Sequence, residues 1–307
     1  MKILFLRGKV DERTERPVSI ERSTDMWEHL AYHLSGEKDT CKVLYWNGDQ
    51  LRYYNDRVSV SFVHDFKHLR LSSEPDVIFA RGGFSEYEHI TKACSNATTV
   101  WYGAGVRTIP PHHYDIILVD TEKDRKKAVA RFPLAVVSTW TKPAAPCFKP
   151  QATNRAFDIC YVANAQQAKL KRIKWVYETK PQHLTMLHLG CISKLRRPSN
   201  VMCVRANRGI MPGMYSQCKV GIIPYTAYDS APRAYPEMVA CGVSPVVCLS
   251  DTRITSAGPI RVATKETFWD VVCESVAKWI PKTAHPISTV EIEANHIRAL
   301  IEEARGK

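Results

Sequence analysis

Short runs rich in Val, Ile and Leu alternate along the chain with longer amphipathic stretches, which predicts strands alternating with helices in parallel sheets. Ile3–Leu6 predicts the first strand. Ser23-Thr24-Asp25 supplies capping residues for a helix through Leu34, and Lys42–Trp46 predicts the next strand. Val58–Val63, Asp76–Ala80, Thr98–Tyr102 and Asp115–Val119 continue the series, with helices at Glu86–Cys94 and Glu122–Ala130. Pro133, Pro143, Pro146 and Pro150 then crowd one segment, which reads as an interdomain connection. The alternation restarts with strand Phe157–Val162, helix Ala168–Tyr177 and strands Leu184–Leu189, Val201–Val204 and Val220–Ile223. Helix Tyr235–Cys241 ends at Gly242, strand Pro245–Leu249 follows, and helices at Lys265–Ile280 and Ser288–Ala304 close the chain. The expected organisation is α/β, with doubly wound Rossmann-like domains over residues 1–150 and 151–307.

The length of 307 residues fits two domains of ordinary size. An apolar content of 45% with 24% charged residues excludes a disordered chain. The longest stretch without Asp, Glu, Lys or Arg, Ala93–Val106, is too short to cross a bilayer. Arg7 interrupts the first apolar run too early for an export signal, so the expected location is cytoplasmic. The cysteines contain no Cys-x-x-Cys, which leaves zinc and redox motifs unsupported and suits buried thiols.

A net charge of +12 favours negatively charged partners without choosing among nucleic acid, anionic lipid and phosphorylated small molecules. Lys169-Leu170-Lys171-Arg172-Ile173-Lys174 predicts a helix with one basic face, either merely solvated or suited to a membrane surface or nucleic-acid backbone.

The densest chemical signal runs from Asp229 to Gly242: an acid, seven positions, then Glu237 at a helix start. Such a loop can aim backbone N–H groups at a diphosphate while the two carboxylates accept hydrogen bonds from hydroxyls. Spacing alone favours the plainer reading, a helix capped by Ser230 or Asp229. In the first domain Gly8, Arg81-Gly82-Gly83 and the Gly103/Gly105 pair follow predicted strands, where ligands of open sheets collect, although glycines there also make plain tight turns. His64, His112 and His113 are candidates for the same region, with an ordinary structural histidine as the alternative. No two aspartates lie two apart, so there is no Asp-x-Asp for a metal-bound diphosphate.

The segment Glu237-Met238-Val239-Ala240-Cys241-Gly242 followed by Pro245-Val246-Val247 resembles the acidic-x7-Glu motif of retaining GT-B glycosyltransferases. Lys169 falls in register with that family's donor lysine after its first second-domain strand, whereas Asn164 stands where the family has Arg. The resemblance implies two Rossmann-like domains facing a central cleft, and a nucleotide-diphosphate sugar, UDP-sugar first, as co-substrate with no other cofactor and no metal. It assigns Asp229 to the transferred sugar, Glu237 to the ribose, and Lys169 and Arg233 to the leaving diphosphate, with Gly8, Asn164 and Ser230 completing the donor site. Lys171, Arg172 or Arg233 would supply the charge that Asn164 lacks. Arg81, Gly82, His64 and His113 are the expected acceptor contacts. By charge, the favoured acceptor is DNA with hydroxymethylated bases, as in phage enzymes of this fold. The alternatives are an envelope glycan or lipid-linked acceptor at an anionic membrane, a non-catalytic nucleotide-sugar-binding module, and a sugar-nucleotide epimerase.

Overall fold

The computed structural model describes residues 1–7, 25–36, 40–46, 52–53, 58–63, 69–82, 86–103, 109–151, 154–164, 169, 171–190, 196–205, 207–226, 232–252, 258–281 and 287–306. They form two compact units, one of Met1–Thr141 with Thr289–Lys307 and the other of Lys142–Ser288. The division thus falls before the expected position near 150, and the last helix belongs with the first unit.

The first unit is built on an eight-stranded sheet: β1 (Lys2–Arg7), β2 (Thr40–Trp46), β3 (Arg52–Tyr53), β4 (Val58–Val63), β5 (Val77–Arg81), β6 (Thr98–Tyr102), β7 (Ile116–Val119) and β8 (Val136–Thr139). Its order is β3-β4-β2-β1-β5-β6-β7-β8, parallel throughout except for β3. The chain winds from β1 towards β4, then crosses back to β5, so the direction of winding reverses between β1 and β5.

Both faces are covered, as parallel sheets require. Helix α1 (Met26–Leu34) buries Met26, Trp27, Leu30, Ala31 and Leu34 at helical spacing, and Asp25 caps it by accepting from Trp27 N. On the same face lies the final helix α8 (Val290–Arg305), whose Val290, Ala294, Ile297, Leu300 and Ile301 join that core. Arg298 of α8 donates to the carbonyls of His33 and Leu34, at the end of α1. Helices α2 (Glu86–Ala93) and α3 (Glu122–Arg131) cover the opposite face through Tyr87, Ile90 and Ala128. Thr121 caps α3, accepting from Asp124 N and donating to the Asp124 carboxylate.

The second unit holds a six-stranded parallel sheet of β9 (Phe157–Val162), β10 (Met186–Leu189), β11 (Val201–Val204), β12 (Cys218–Ile223), β13 (Val246–Leu249) and β14 (Ile260–Ala263). Its order, β11-β10-β9-β12-β13-β14, reverses between β9 and β12. Helices α4 (Ile173–Thr179), α5 (Met211–Tyr215), α6 (Ala234–Ala240) and α7 (Phe268–Ala277) complete this unit. Two doubly wound α/β sheets are the expected fold class.

Two details differ from the pattern reading. The proline-rich connection contains β8, which sits between Pro133 and Pro143 at the sheet edge and has no proline of its own. The helix expected from Ala168 begins only at Ile173, because Lys171 and Arg172 form a turn and Arg172 adopts a left-handed conformation at φ 57°. No continuous basic helical face therefore runs from Lys169. Among the described residues, no helix is long and apolar enough to cross a membrane.

Candidate functional site

In an open parallel sheet, ligands bind beyond the carboxyl ends of the strands, at the point where winding reverses. In the second unit that point lies beyond Val162 of β9 and Ile223 of β12. Hydrogen bonds tie the two strand ends together: Tyr225 Oη donates to the carbonyl of Val162, and Thr252 Oγ1 donates to the carbonyls of Ile223 and Tyr225.

Lys171 lies within this arrangement. Tyr161 Oη donates to its carbonyl at 2.6 Å, and its Nζ stands 3.4 Å from the centroid of the Tyr225 ring. The residue is 8% exposed, and burial lowers the ammonium pKa to about 7. An ammonium over an aromatic face regains electrostatic stabilisation where water is scarce. Next to it, Arg172 is held by Asp251, which follows β13, with Nη2 2.6 Å from Oδ2.

The loop leaving β9 is fixed from a third side. His188, buried in β10, places Nε2 2.8 Å from the carbonyl of Ala163, while its Nδ1 lies 2.5 Å from Tyr177 Oη. The carbonyl can only accept, so Nε2 carries the proton and Nδ1 accepts from the tyrosine. Burial lowers the His188 pKa, which keeps the ring neutral and this tautomer in place. Gly190 makes the close approach possible: a Cβ there would stand 1.7 Å from the Ala163 oxygen.

Glu237, on α6, is only 4% exposed. Its Oε1 accepts from Arg208 Nη2 at 2.7 Å and its Oε2 from Tyr215 Oη at 3.3 Å. The Arg208 guanidinium also lies 5.2 Å from the centroid of Phe148. A carboxylate has about four acceptor positions, so these two bonds leave capacity for a hydroxyl pair. Arg233 is half-buried at the start of α6, and Asn164 is half-buried just past β9. Lys169 is solvent-exposed, in contrast to Lys171. Asp229, Ser230, Gly8 and His64 lie outside the described residues.

In the first unit the reversal point lies between Arg7, the last residue of β1, and Arg81, the last of β5. Gly82 follows with φ 99°; its N–H donates to the carbonyl of Tyr102, and its own carbonyl accepts from Trp101 Nε1. His113 is a correction. It is exposed and precedes β7, so it lies at the amino ends of the parallel strands, the edge opposite Arg81. His112 beside it stacks on Tyr114 and meets Thr91 of α2, a local packing role. The spacing of His113 from other candidates in the sequence carried no information on which edge it occupies.

Pattern reading passed over Tyr225, His188, Arg208 and Arg7. His188 did carry a signal, a titratable ring inside the apolar run Leu184–Leu189. Among the described residues, no group of three or more His, Cys, Asp or Glu side chains is placed to hold a metal.

No protein-family model and no curated protein matches the chain. Solved structures do match its fold. Sucrose-phosphate synthase from Thermosynechococcus elongatus superposes with a TM-score of 0.63 at 10% identity, over 98% of this chain and 96% of that one. The catalytic domain of starch synthase IV from Arabidopsis thaliana, bound to ADP and acarbose, gives 0.65 at 8% identity over 99% of both chains. Anabaena HepE in complex with UDP-glucose gives 0.60 at 12% identity, over 100% and 98%. The chain has the GT-B fold of these glycosyltransferases.

Proposed function

We propose that the chain is a glycosyltransferase that moves a sugar from a nucleotide-diphosphate sugar, UDP-sugar first, to an anionic acceptor. One observation carries the reading: at the winding reversal of the second sheet, a buried lysine is clamped over Tyr225, within a fold shared with HepE, which binds UDP-glucose.

As the bond from sugar to phosphate breaks, negative charge grows on the leaving diphosphate, and a preorganised donor in a dry site is worth about 3–4 kcal/mol there. Lys171 is the first candidate for that role, because its amino group is held in place over Tyr225 and poorly hydrated. Arg233 assists from the start of α6, and Lys169 is the outer cation. A bound diphosphate would return the Lys171 ammonium to its charged form. Glu237 accepts from the ribose hydroxyls, with its carboxylate held by Arg208 and Tyr215, and Asp229 accepts from the transferred sugar. Transfer with retention and without a metal follows the motif from Asp229 to Glu237 and the lack of Asp-x-Asp. Net charge supports an anionic acceptor, of which hydroxymethylated DNA and a membrane-bound glycan are two forms.

The test is a thermal-shift screen of the full chain with UDP-, GDP-, ADP- and CDP-sugars. A donor at about 100 times its Kd stabilises the fold by about 2.7 kcal/mol. One nucleotide class should raise Tm, with the effect reduced in Lys171→Met. Absence of a shift with all four overturns the proposal.

A further inference from the structure

We propose that Arg7 and Arg81, held on Trp27 at the winding reversal of the first sheet, form an oxyanion subsite for the terminal phosphate of a small acceptor. Only the word acceptor rests on the glycosyltransferase reading; the subsite itself stands on the geometry of the first unit.

Leu6 and Ala80 are paired in register on the neighbouring parallel strands β1 and β5, and Arg7 and Arg81 are the next residue of each. Both guanidiniums lie against the same indole, Arg7 at 5.9 Å and Arg81 at 5.1 Å from the Trp27 centroid. The indole is fully buried between the sheet and α1, packed against Phe79, Tyr102 and Trp140. Asp25 joins the arrangement to the helix: its Oδ2 takes Arg7 Nη1 at 2.6 Å while its Oδ1 caps Trp27 N at 2.8 Å. The same carboxylate therefore fixes the Arg7 fork and the helix that carries the shared ring.

Two planar cations stacked on one rigid aromatic surface lose little freedom on binding, and their forked N–H groups match the oxygens of a phosphate. Their position beyond the carboxyl ends, where β1 and β5 part, is where open sheets take ligands. Exposure narrows the ligand. Arg7 is 6% exposed and Arg81 half-buried, so the small surface the pair presents suits a single terminal oxyanion. A duplex backbone instead needs cations standing out from the surface to meet successive phosphates.

The test is calorimetric titration of the full chain with glucose 6-phosphate, glucose, inorganic phosphate and a short DNA duplex, in saturating UDP so that a nucleotide site is filled. Glucose 6-phosphate should bind, inorganic phosphate should compete with it, and glucose should give no heat. Arg81→Gln should weaken glucose 6-phosphate at least about tenfold, as expected for a lost charge-assisted bond, and Arg81→Lys by less. Arg7→Gln removes a buried cation and endangers folding, so the half-exposed Arg81 is decisive. Equal binding by Arg81→Gln and wild type, equal binding of glucose, or binding of the duplex alone overturns the subsite. If UDP gives no heat, the donor reading fails, while the phosphate titrations still judge the subsite.

Discussion

Lys171 and Tyr225 meet where the second sheet changes its winding direction, with the ammonium 3.4 Å from the centre of the phenol ring. Lys171 comes from the turn after β9 and Tyr225 from the end of β12, so the contact exists only because these two strands are neighbours. Burial favours the neutral amine and the ring favours the cation. Burial alone moves the pKa down from 10.5 to about 7, and the ring opposes that shift.

That shift fixes a pH dependence. Between about pH 7 and 10.5 the unfolded chain keeps a proton on this lysine that the folded chain has released, so stability rises with pH across the window. The full penalty applies below about pH 7 and is gone above the upper limit. Relative to Lys171→Met, wild type should gain a few kcal/mol between pH 7 and 10, measured by urea unfolding of both proteins at matched pH. A constant difference between the two would contradict the shift.

Arg208 and Glu237 form a partly dehydrated ion pair, with side-chain exposures of 22% and 5%. Arg208→Met leaves the carboxylate buried with Tyr215 still donating to it, and should cost about 2–3 kcal/mol, below the range for fully buried pairs because Arg208 is partly exposed. Glu237→Gln can still accept from Tyr215 and should lose less. If Glu237 serves the ribose, that variant should also bind UDP about tenfold more weakly, which calorimetry would register.

His188 is buried neutral, and its pKa lies below the ordinary value of 6.5. As pH falls through that value the unfolded chain takes up a proton that the folded chain refuses, so acid lowers stability. Between pH 7 and 5 wild type should lose more stability than His188→Gln. Parallel melting curves of the two proteins in this range would contradict a ring held neutral by burial.

Gly190→Ala would drive a methyl into the Ala163 carbonyl, an overlap no side-chain rotation relieves. The loss should be at least about 2–3 kcal/mol, or failure to fold, measured as a fall in Tm or in soluble yield. Normal stability would mean that the loop after β9 can move away from His188.

The apolar runs announced the central strands of both sheets because buried parallel strands are apolar on both faces. The edges were harder to read. β14 reads Ile260-Arg261-Val262-Ala263, and Val262 is exposed, so an edge strand with one neighbour lacked the signal. β8 was hidden by flanking prolines, and β3 is two residues long. The site was legible in its chemistry and less so in its register. Motif spacing selected Lys169, which is exposed, whereas the lysine that the turn buries over Tyr225 is Lys171. Glu237 stood out by spacing, but Arg208 lies 29 residues earlier in another element, and nothing local links them. Arg7 and Arg81 are 74 positions apart and are brought together by strand order alone.

The return of α8 to the first unit sets an order of events during synthesis. Residues 142–288 are a contiguous segment whose core is complete once they have left the ribosome. The first 141 residues emerge sooner but lack Val290, Ala294, Ile297, Leu300 and Ile301, the apolar stripe that covers their sheet beside α1. The sheet of the first unit therefore gains this part of its apolar cover only after the whole second unit has been made.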